Sequence, residues 1–346
     1  MSKETILITG GAGYIGSHTI VSLLEMTNFN VVSADNYSNS SPRTYDRIEQ
    51  VTGKRIAFIE ADLSHRSDVE KVFAQFPEIT GVIHFAAHKS VPESVLKPEL
   101  YYRNNLDSLR NVIEVGRKHK LRNVIFSSSC SVYGNIEQLP VAETSPFSKP
   151  ESPYADTKVK GEEMMRALFE NSSVDKGISL RYFNPVGAHE SGLLGESPQE
   201  RPGNLVPVIT QTAIGIRESM SVFGDDYPTR DGTCIRDYIH VCDIAEAHVL
   251  ALQRLINDKS APSYDIFNLG SGNGVTVLEA IKAFEKISNS NLNYEIVARR
   301  PGDVTAIFSD SAKANSELNW IPKRTLEDMM SSAWKWEKHL ASEKSK

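Results

Sequence analysis

Two residues in "SPYADTK" (152–158), Tyr154 and Lys158, stand four positions apart just after Pro153. A helix that opens at this proline brings both side chains to one face, one turn apart. A phenol with an ordinary pKa near 10 is a poor base at neutral pH, and lowering it by about three units takes roughly 4 kcal/mol of preference for the phenolate. A neighbouring ammonium and a cationic ring are the kind of charges that supply it. Ser129 closes the apolar run "NVIFSSS" (123–129) and adds a hydroxyl able to bond a reacting oxygen and share its proton. Each feature alone has a plainer explanation. An aromatic and a charge decorate many helices, and a strand-end serine often bonds its own backbone.

The run "ITGGAGYIG" (8–16) sets Gly10, Gly11, Gly13 and Gly16 directly after one strand-like stretch and at the mouth of a helical one. Glycines there permit a tight turn, close approach of backbone to a pyrophosphate, and close packing of helix on strand. The helix N-terminus then faces the phosphates with free amides and the positive end of its dipole. Asp35 ends the next strand-like run, nineteen positions beyond Gly16. A carboxylate there accepts bonds from the adenosine ribose and repels a 2′-phosphate, which favours NAD over NADP. Asp35 also begins the turn-like "DNYSNS", so a purely local role stays open. Asp62, closing "IAFIEAD" (56–62), is placed to reach the adenine edge.

These groups need a scaffold. "TILIT" (5–9), "VVSAD" (31–35), "IAFIEAD", "GVIHFAA" (81–87), "NVIFSSS" and "ISLRYFN" (178–184) are short, apolar and rich in β-branched residues. Amphipathic stretches at 14–26, 67–76, 99–118 and 153–170 separate them. Short buried strands alternating with helices predict a doubly wound parallel α/β sheet of the Rossmann type, with helices on both faces. Catalytic groups then collect at the carboxyl ends of the strands. After Asn184 the chain turns irregular and rich in Gly, Pro and charge. The expected layout is a dinucleotide domain over 1–184 with a return segment near 236–256, and a smaller mixed α/β substrate domain over the rest of 185–346. Only the tail "ASEKSK" (341–346) reads as disordered.

The formal net charge of −6 gives no cationic footprint, which argues against nucleic acid or an anionic membrane as the main partner. No apolar run is long enough for a membrane span, and the first residues lack a secretory pattern. The three cysteines, Cys130, Cys234 and Cys242, show no paired or metal-ligand spacing. They read as reduced thiols of a cytoplasmic protein, with no metal expected.

Taken together, "TGGAGYIG", "HFAA", "SSS…VYG", "SPYADTK", "RYFNPVGAHESG" and "FGDDYPTRDGTCIRDYIHV" resemble the UDP-hexose 4-epimerase branch of the extended short-chain dehydrogenase/reductase family, from about Thr5 to Trp336. The resemblance implies interconversion of UDP-glucose and UDP-galactose. Tyr154 would take the proton of the 4-hydroxyl while NAD accepts the C4 hydride; the 4-keto sugar would turn over and receive the hydride on its other face. Catalysis would rest on Tyr154, Lys158 and Ser129. Gly10, Gly13, Tyr14, Ile15, Gly16, Asp35, Asn36, Asp62, Leu63, Phe85, Ala86, Lys89, Asn104 and Tyr182 would contact the cofactor, Tyr182 lying near the sugar as well. Asn184, Asn204, Leu205, Phe223, Tyr238 and Ile307 would line the substrate site, with Arg236 and Arg300 on the diphosphate and Asp303 on the uridine ribose. A homodimer through the helices at 99–118 and 153–170 is implied too.

Sequence features also separate the activities within that family. Sugar-nucleotide 4,6-dehydratases carry an Asp-Glu pair after the active hydroxyl residue, whereas this chain has Cys130 and Ser131, neither able to act as a carboxylic acid. The same chemistry on UDP-N-acetylhexosamines or UDP-pentoses remains compatible with the motifs. Ile307 stands where a bulky residue excludes N-acetyl groups and a small one admits them, and isoleucine is intermediate. His88 and Pro92 depart from the leucine and glycine usual in the family, and His88 reads as structural. A non-catalytic nucleotide-sugar-binding protein on the same fold would be expected to lack Tyr154 or Lys158, and both are present.

Overall fold

The six apolar runs form six strands, and their alternate side chains pack on opposite faces of one sheet. They are β1 (Thr5–Thr9), β2 (Asn30–Asp35), β3 (Ala57–Glu60), β4 (Ile79–His84), β5 (Asn123–Ser129) and β6 (Lys176–Tyr182). On one face Ile6, Ile8, Ile83, Ile125 and Leu180 meet Ile20, Leu23, Ile244 and Leu252 from the helices Tyr14–Met26 and Val241–Asn257. On the other, Leu7, Val32, Val82, Val124 and Phe126 meet Val69, Phe73, Leu109, Val112, Met165 and Phe169. Those residues come from the helices Arg66–Gln75, Ser108–Gly116 and Pro153–Phe169. A strand covered on both sides has no polar face to offer, which is why these runs are continuously apolar; β3, at the sheet edge, is the exception, with Ala57, Phe58 and Glu60 exposed. The computed structural model describes residues 3–170, 172–198, 202–300 and 303–344.

The second half supplies β7 (Asn184–Val186), β8 (Met220–Phe223), β9 (Ile235–His240), β10 (Tyr264–Leu269), β11 (Gly274–Thr276), β12 (Tyr294–Val297) and β13 (Ala306–Ile307). Strand β10 joins β6, giving a parallel seven-stranded sheet in the order β10-β6-β5-β4-β1-β2-β3. The strand order reverses between β1 and β4, and in such sheets the crevice beyond those carboxyl ends takes the ligand. Strand β9 centres a smaller sheet, flanked by β7, β11 and β13, and β8 pairs with β12. A separate core of Ile209, Met220, Val222, Tyr238, Ile281, Phe284 and Met330 sits beneath it.

Three expectations change in detail. The segment near 236–256 is divided: its helix lies against the parallel sheet, but its strand β9 belongs to the small sheet. The strand that does return is β10, masked in sequence by polar neighbours. The helix expected over 99–118 is broken into Pro98–Tyr102, a π-turn at Arg103–Asp107 and Ser108–Gly116. Pro98 cannot continue the helix Val91–Leu96, and π-turns insert one residue into the helical ladder, often at functional sites. The tail expected to be disordered instead continues the helix Leu326–Lys344 through 344; residues 345 and 346 lie outside the described chain.

Candidate active site

The glycine loop leaves β1 and enters the helix Tyr14–Met26, with Gly13 at the N-cap and no side chain capping it. Gly10 adopts φ +69°, and a Cβ there would lie 2.9 Å from the Ala86 amide nitrogen at the end of β4. A Cβ on Gly16 would fall 2.3 Å from the Gly10 carbonyl oxygen, so the helix can approach the loop only as glycine. The result is an open helix N-terminus, bearing Tyr14 and Ile15, set between the ends of β1 and β4. Phe85 and Ala86 form its other wall, their amides close to the Thr9 hydroxyl. This cradle fits a dinucleotide pyrophosphate.

Asp35 is buried at the end of β2 and accepts from the Ala12 amide at 2.9 Å, the Tyr37 amide at 2.9 Å and the Ser40 hydroxyl at 2.8 Å. Its carboxylate therefore fixes the glycine loop as well as standing where a ribose would lie. A cavity of about 600 Å³ next to it is lined by Asn36, Ile59, Glu60, Ala61, Asp62, Asp68 and Lys71, with the size and polarity for an adenine end. Leu63 is buried beside Asp62, whose carboxylate is held by Ser64.

The catalytic candidates meet at the carboxyl end of β5. Ser152 accepts from the Ala155 amide at 3.2 Å, and Pro153 fills the first turn of the helix Pro153–Phe169. Gly161 lets that helix press on the sheet, since a Cβ would lie 2.4 Å from the Phe126 ring. Lys158 is thereby buried, its Nζ donating to the Ser127 carbonyl at 2.7 Å and lying 5.8 Å from the Tyr154 ring centroid. Burial pushes Lys158 down to about 8, against an opposing pull from Glu162. Burial pushes the Tyr154 phenol up to about 12, opposed by a hydrogen bond with the Ser129 hydroxyl and reinforced by Cys130. Burial thus outweighs the bond with Ser129 and favours Tyr154 as a neutral phenol. Tyr182 pairs with Ser129 across β5 and β6, and its hydroxyl bonds that of Ser127.

A second cluster occupies the small sheet. Arg300 donates to both oxygens of Asp303, at 3.1 and 2.8 Å, and Arg236 lies 3.5 Å from the same carboxylate. The Arg300 guanidinium sits 5.3 Å from the centroid of the Phe223 ring. Tyr238 shares the Arg236 face of β9 and pairs with Asn184 of β7. Two guanidiniums sharing one carboxylate, beside an aromatic face, can hold a diphosphate and a planar base. Ile307 is buried among Val132, Tyr133 and Phe183, with Cys130 at the edge, so it adjoins the Ser129 turn. The Cys130 thiol is raised by burial and lowered by Arg236, which puts that arginine within electrostatic reach of the same turn. Asn204 and Leu205 begin the helix Leu205–Ala213.

Several contributors carried no signal in the sequence. Asp237 is fully buried and accepts from the amides of Ser271, Gly272 and Ser309 and from the hydroxyls of Ser271 and Ser309, which fixes the strand that carries Arg236. Asn105, in the π-turn beside Asn104, accepts from the His88 amide at 2.8 Å and donates to the His88 carbonyl and the Thr157 hydroxyl. It joins the 88 segment to the Tyr154 helix, and His88 itself takes part through its main chain. His84 is buried below the crevice, its Nδ1 2.9 Å from the Thr9 hydroxyl, and burial and then Lys158 push it down to about 3.

A family model described as GDP-mannose 4,6 dehydratase matches residues 7–333. The UDP-glucose 4-epimerase of Bacillus subtilis is 48% identical across 96% of each chain. This chain belongs to the extended short-chain dehydrogenase/reductase family, among the UDP-glucose 4-epimerases. A solved epimerase from Stenotrophomonas maltophila, with bound NAD and formylated UDP-arabinopyranose, superposes with TM-score 0.94 at 41% identity, covering 98% of this chain and 99% of that one. Another, from Bifidobacterium longum in complex with NAD+ and UDP, gives TM-score 0.92 at 44% identity, with 97% and 98% covered. The turn after β5 bears on the dehydratase description: Cys130 and Ser131 occupy it, with no carboxylic acid to drive elimination.

Proposed function

We propose that this chain is an NAD-dependent epimerase that interconverts UDP-glucose and UDP-galactose. The observation that carries this reading is the meeting of Ser129, Tyr154 and Lys158 at the carboxyl end of β5, with Arg236 of the small sheet in electrostatic reach of the same turn. Tyr154 takes the proton from the sugar 4-hydroxyl, Ser129 bonds that oxygen, and Lys158 holds the nicotinamide ribose. NAD, when bound, accepts hydrogen from C4 as hydride and returns it, so the cycle has no net redox change. Arg236 and Arg300 keep the diphosphate anchored and Asp303 takes the uridine ribose while the 4-keto sugar turns between Tyr182 and Ile307. Incubation with UDP-glucose, UDP-galactose and their N-acetyl forms, read by NMR, should show C4 inversion of the hexoses without accumulation of NADH. Failure to invert any of them would sink the proposal.

The charge on the nicotinamide should set the state of Tyr154. The phenol stands at about 12 in the protein alone, so only a neighbouring cation brings it toward neutral pH. Ultraviolet titration of wild type minus Tyr154→Phe should give a phenolate pKa at least one unit lower with oxidised than with reduced cofactor. Equal values would leave the base unexplained.

Acceptance of other sugars turns on Ile307, which is buried among Val132, Tyr133 and Phe183 and is a side chain of intermediate size. The Stenotrophomonas structure holds a UDP-pentose derivative, which supports testing UDP-arabinose alongside the hexosamines. We also infer a homodimer formed by the Pro153–Phe169 helix and the broken 98–116 segment, working in galactose metabolism in the cytoplasm. Support comes from Val95 and Leu96, which are 60% and 81% exposed on the adjoining helix Val91–Leu96. Light scattering at micromolar concentration should give twice the chain mass; a monomer would contradict it. The free thiols Cys130, Cys234 and Cys242 fit a reducing compartment.

A further inference from the structure

After β7, residues 187–196 make a strap that no part of the chemistry above uses. Ala188 and Gly195 bridge in antiparallel fashion, closing a small loop. The loop is tied on two sides. The Tyr14 hydroxyl donates to the Gly187 carbonyl at 2.6 Å, from the first turn of the glycine-loop helix. From the C-terminal helix, Ser332 accepts from the Ala188 amide at 3.1 Å, Lys335 donates to the Glu190 carbonyl at 2.6 Å, and Trp336 Nε1 donates to the Glu196 carbonyl at 2.7 Å. Gly195 lies flat on Trp336, where a Cβ would be 2.5 Å from the indole. Five anchored residues, Gly187, Ala188, Glu190, Gly195 and Glu196, thus deliver one side chain, that of Glu196, to a fixed place.

That side chain is only 11% exposed, although its partner Lys89 is 48% exposed. Glu196 Oε1 accepts from Lys89 Nζ at 2.7 Å and from Asn204 Nδ2 at 3.1 Å. Lys89 Nζ also lies 6.0 Å from the centroid of the Tyr14 ring, so it is held at the mouth of the glycine cradle. A long lysine left to itself would spend its rotamer freedom in solvent. A nearly buried carboxylate on a rigid strap removes that freedom in advance, and an ion pair of this kind gains more from Coulomb attraction than an exposed one.

We propose that Glu196 is a positioning residue that fixes Lys89 over the dinucleotide phosphates and, through Asn204, ties the cofactor crevice to the UDP-sugar pocket. This rests on the NAD-dependent reading above. The carboxylate does not touch the reacting atoms; it keeps the cofactor from leaving between turnovers by holding the lysine that closes over it. The Trp336 contact is to the main chain of residue 196, so replacing the side chain leaves the strap's anchor intact.

The test is retention of NAD. Wild type, Glu196→Gln, Lys89→Gln and the double variant are loaded with NAD, desalted, and the bound cofactor followed with time. Glu196→Gln should lose NAD about ten times faster than wild type with an unchanged melting temperature. Lys89→Gln should lose it at least as fast, and the double variant no faster than Lys89→Gln, because the two side chains act as one unit. A merely structural role for Glu196 would lower the melting temperature and add to the lysine effect, and that result overturns the proposal. So does wild-type retention in Glu196→Gln. If that variant does not fold, Glu196→Asp, which keeps the charge but shortens the reach, should give intermediate retention; retention equal to wild type in a shortened acid overturns it too. A wild-type protein that binds no NAD would instead refute the NAD-dependent reading and is told apart from these outcomes.

Discussion

Tyr154→Phe should reduce kcat by about three orders of magnitude while NAD remains bound. Loss of a positioned acid–base group typically costs 10²- to 10⁴-fold, and the Tyr154 phenol is buried and bonded to the Ser129 hydroxyl that would share its proton. The ring itself is kept, so the packing against the helix Pro153–Phe169 changes little. Turnover is measured by NMR of UDP-hexose inversion and cofactor content by release on denaturation. Near-wild-type turnover would move the base elsewhere. Loss of NAD together with turnover would show instead that the phenol helps to hold the cofactor.

The second large effect concerns stability. Glu162→Gln should destabilise the protein by about 3–5 kcal/mol, seen as a lower urea midpoint with an unchanged slope. Arg181 and Glu162 are 2% and 4% exposed and form a two-pronged pair, Nε to Oε1 at 2.8 Å and Nη2 to Oε2 at 2.6 Å. The Ser128 hydroxyl donates to the same carboxylate, and Arg181 Nη1 donates to the Tyr133 hydroxyl at 2.9 Å, which donates in turn to Asn268 Oδ1 at 2.6 Å. Burial alone would lower the Arg181 pKa; Glu162 more than reverses it, so the guanidinium stays charged. Removing the carboxylate's charge strands that cation in the interior. Replacing both residues with apolar ones, Glu162→Met with Arg181→Leu, should cost less than Glu162→Gln alone. A near-zero effect of Glu162→Gln would mean that water reaches the guanidinium. Because Ser128 adjoins Ser129, the pair also holds the strand end on which the Ser129 hydroxyl stands.

Local pattern carried a good deal of this. The Tyr154–Lys158 spacing behind Pro153 predicts a helix with both residues on one face, and the helix starts there with Ser152 as its cap. The glycine spacing fixes the loop because only a residue without Cβ fits at Gly10 and Gly16. The buried parallel strands are legible because each must be apolar on both faces. Strand β10 is harder to see, since "YDIFNL" alternates in polarity; Asp265 and Asn268 are buried yet satisfied by Lys313 and by Tyr133, partners remote in the chain.

What the sequence by itself determined, then, is the fold class, the glycine loop between strand and helix, and the helix that carries Tyr154 and Lys158. These follow from backbone sterics and from periodic burial, both readable within a dozen residues. Only the tertiary structure decided the state of those residues. Lys158 is lowered to about 8 and Tyr154 raised to about 12 by burial, an effect set by neighbours from other strands and helices. The same holds for Asp237 fixing the Arg236 face and for Glu196 meeting Lys89 across 107 positions of sequence. Desolvation and long-range pairing depend on which distant segments arrive together, and no local spacing encodes that.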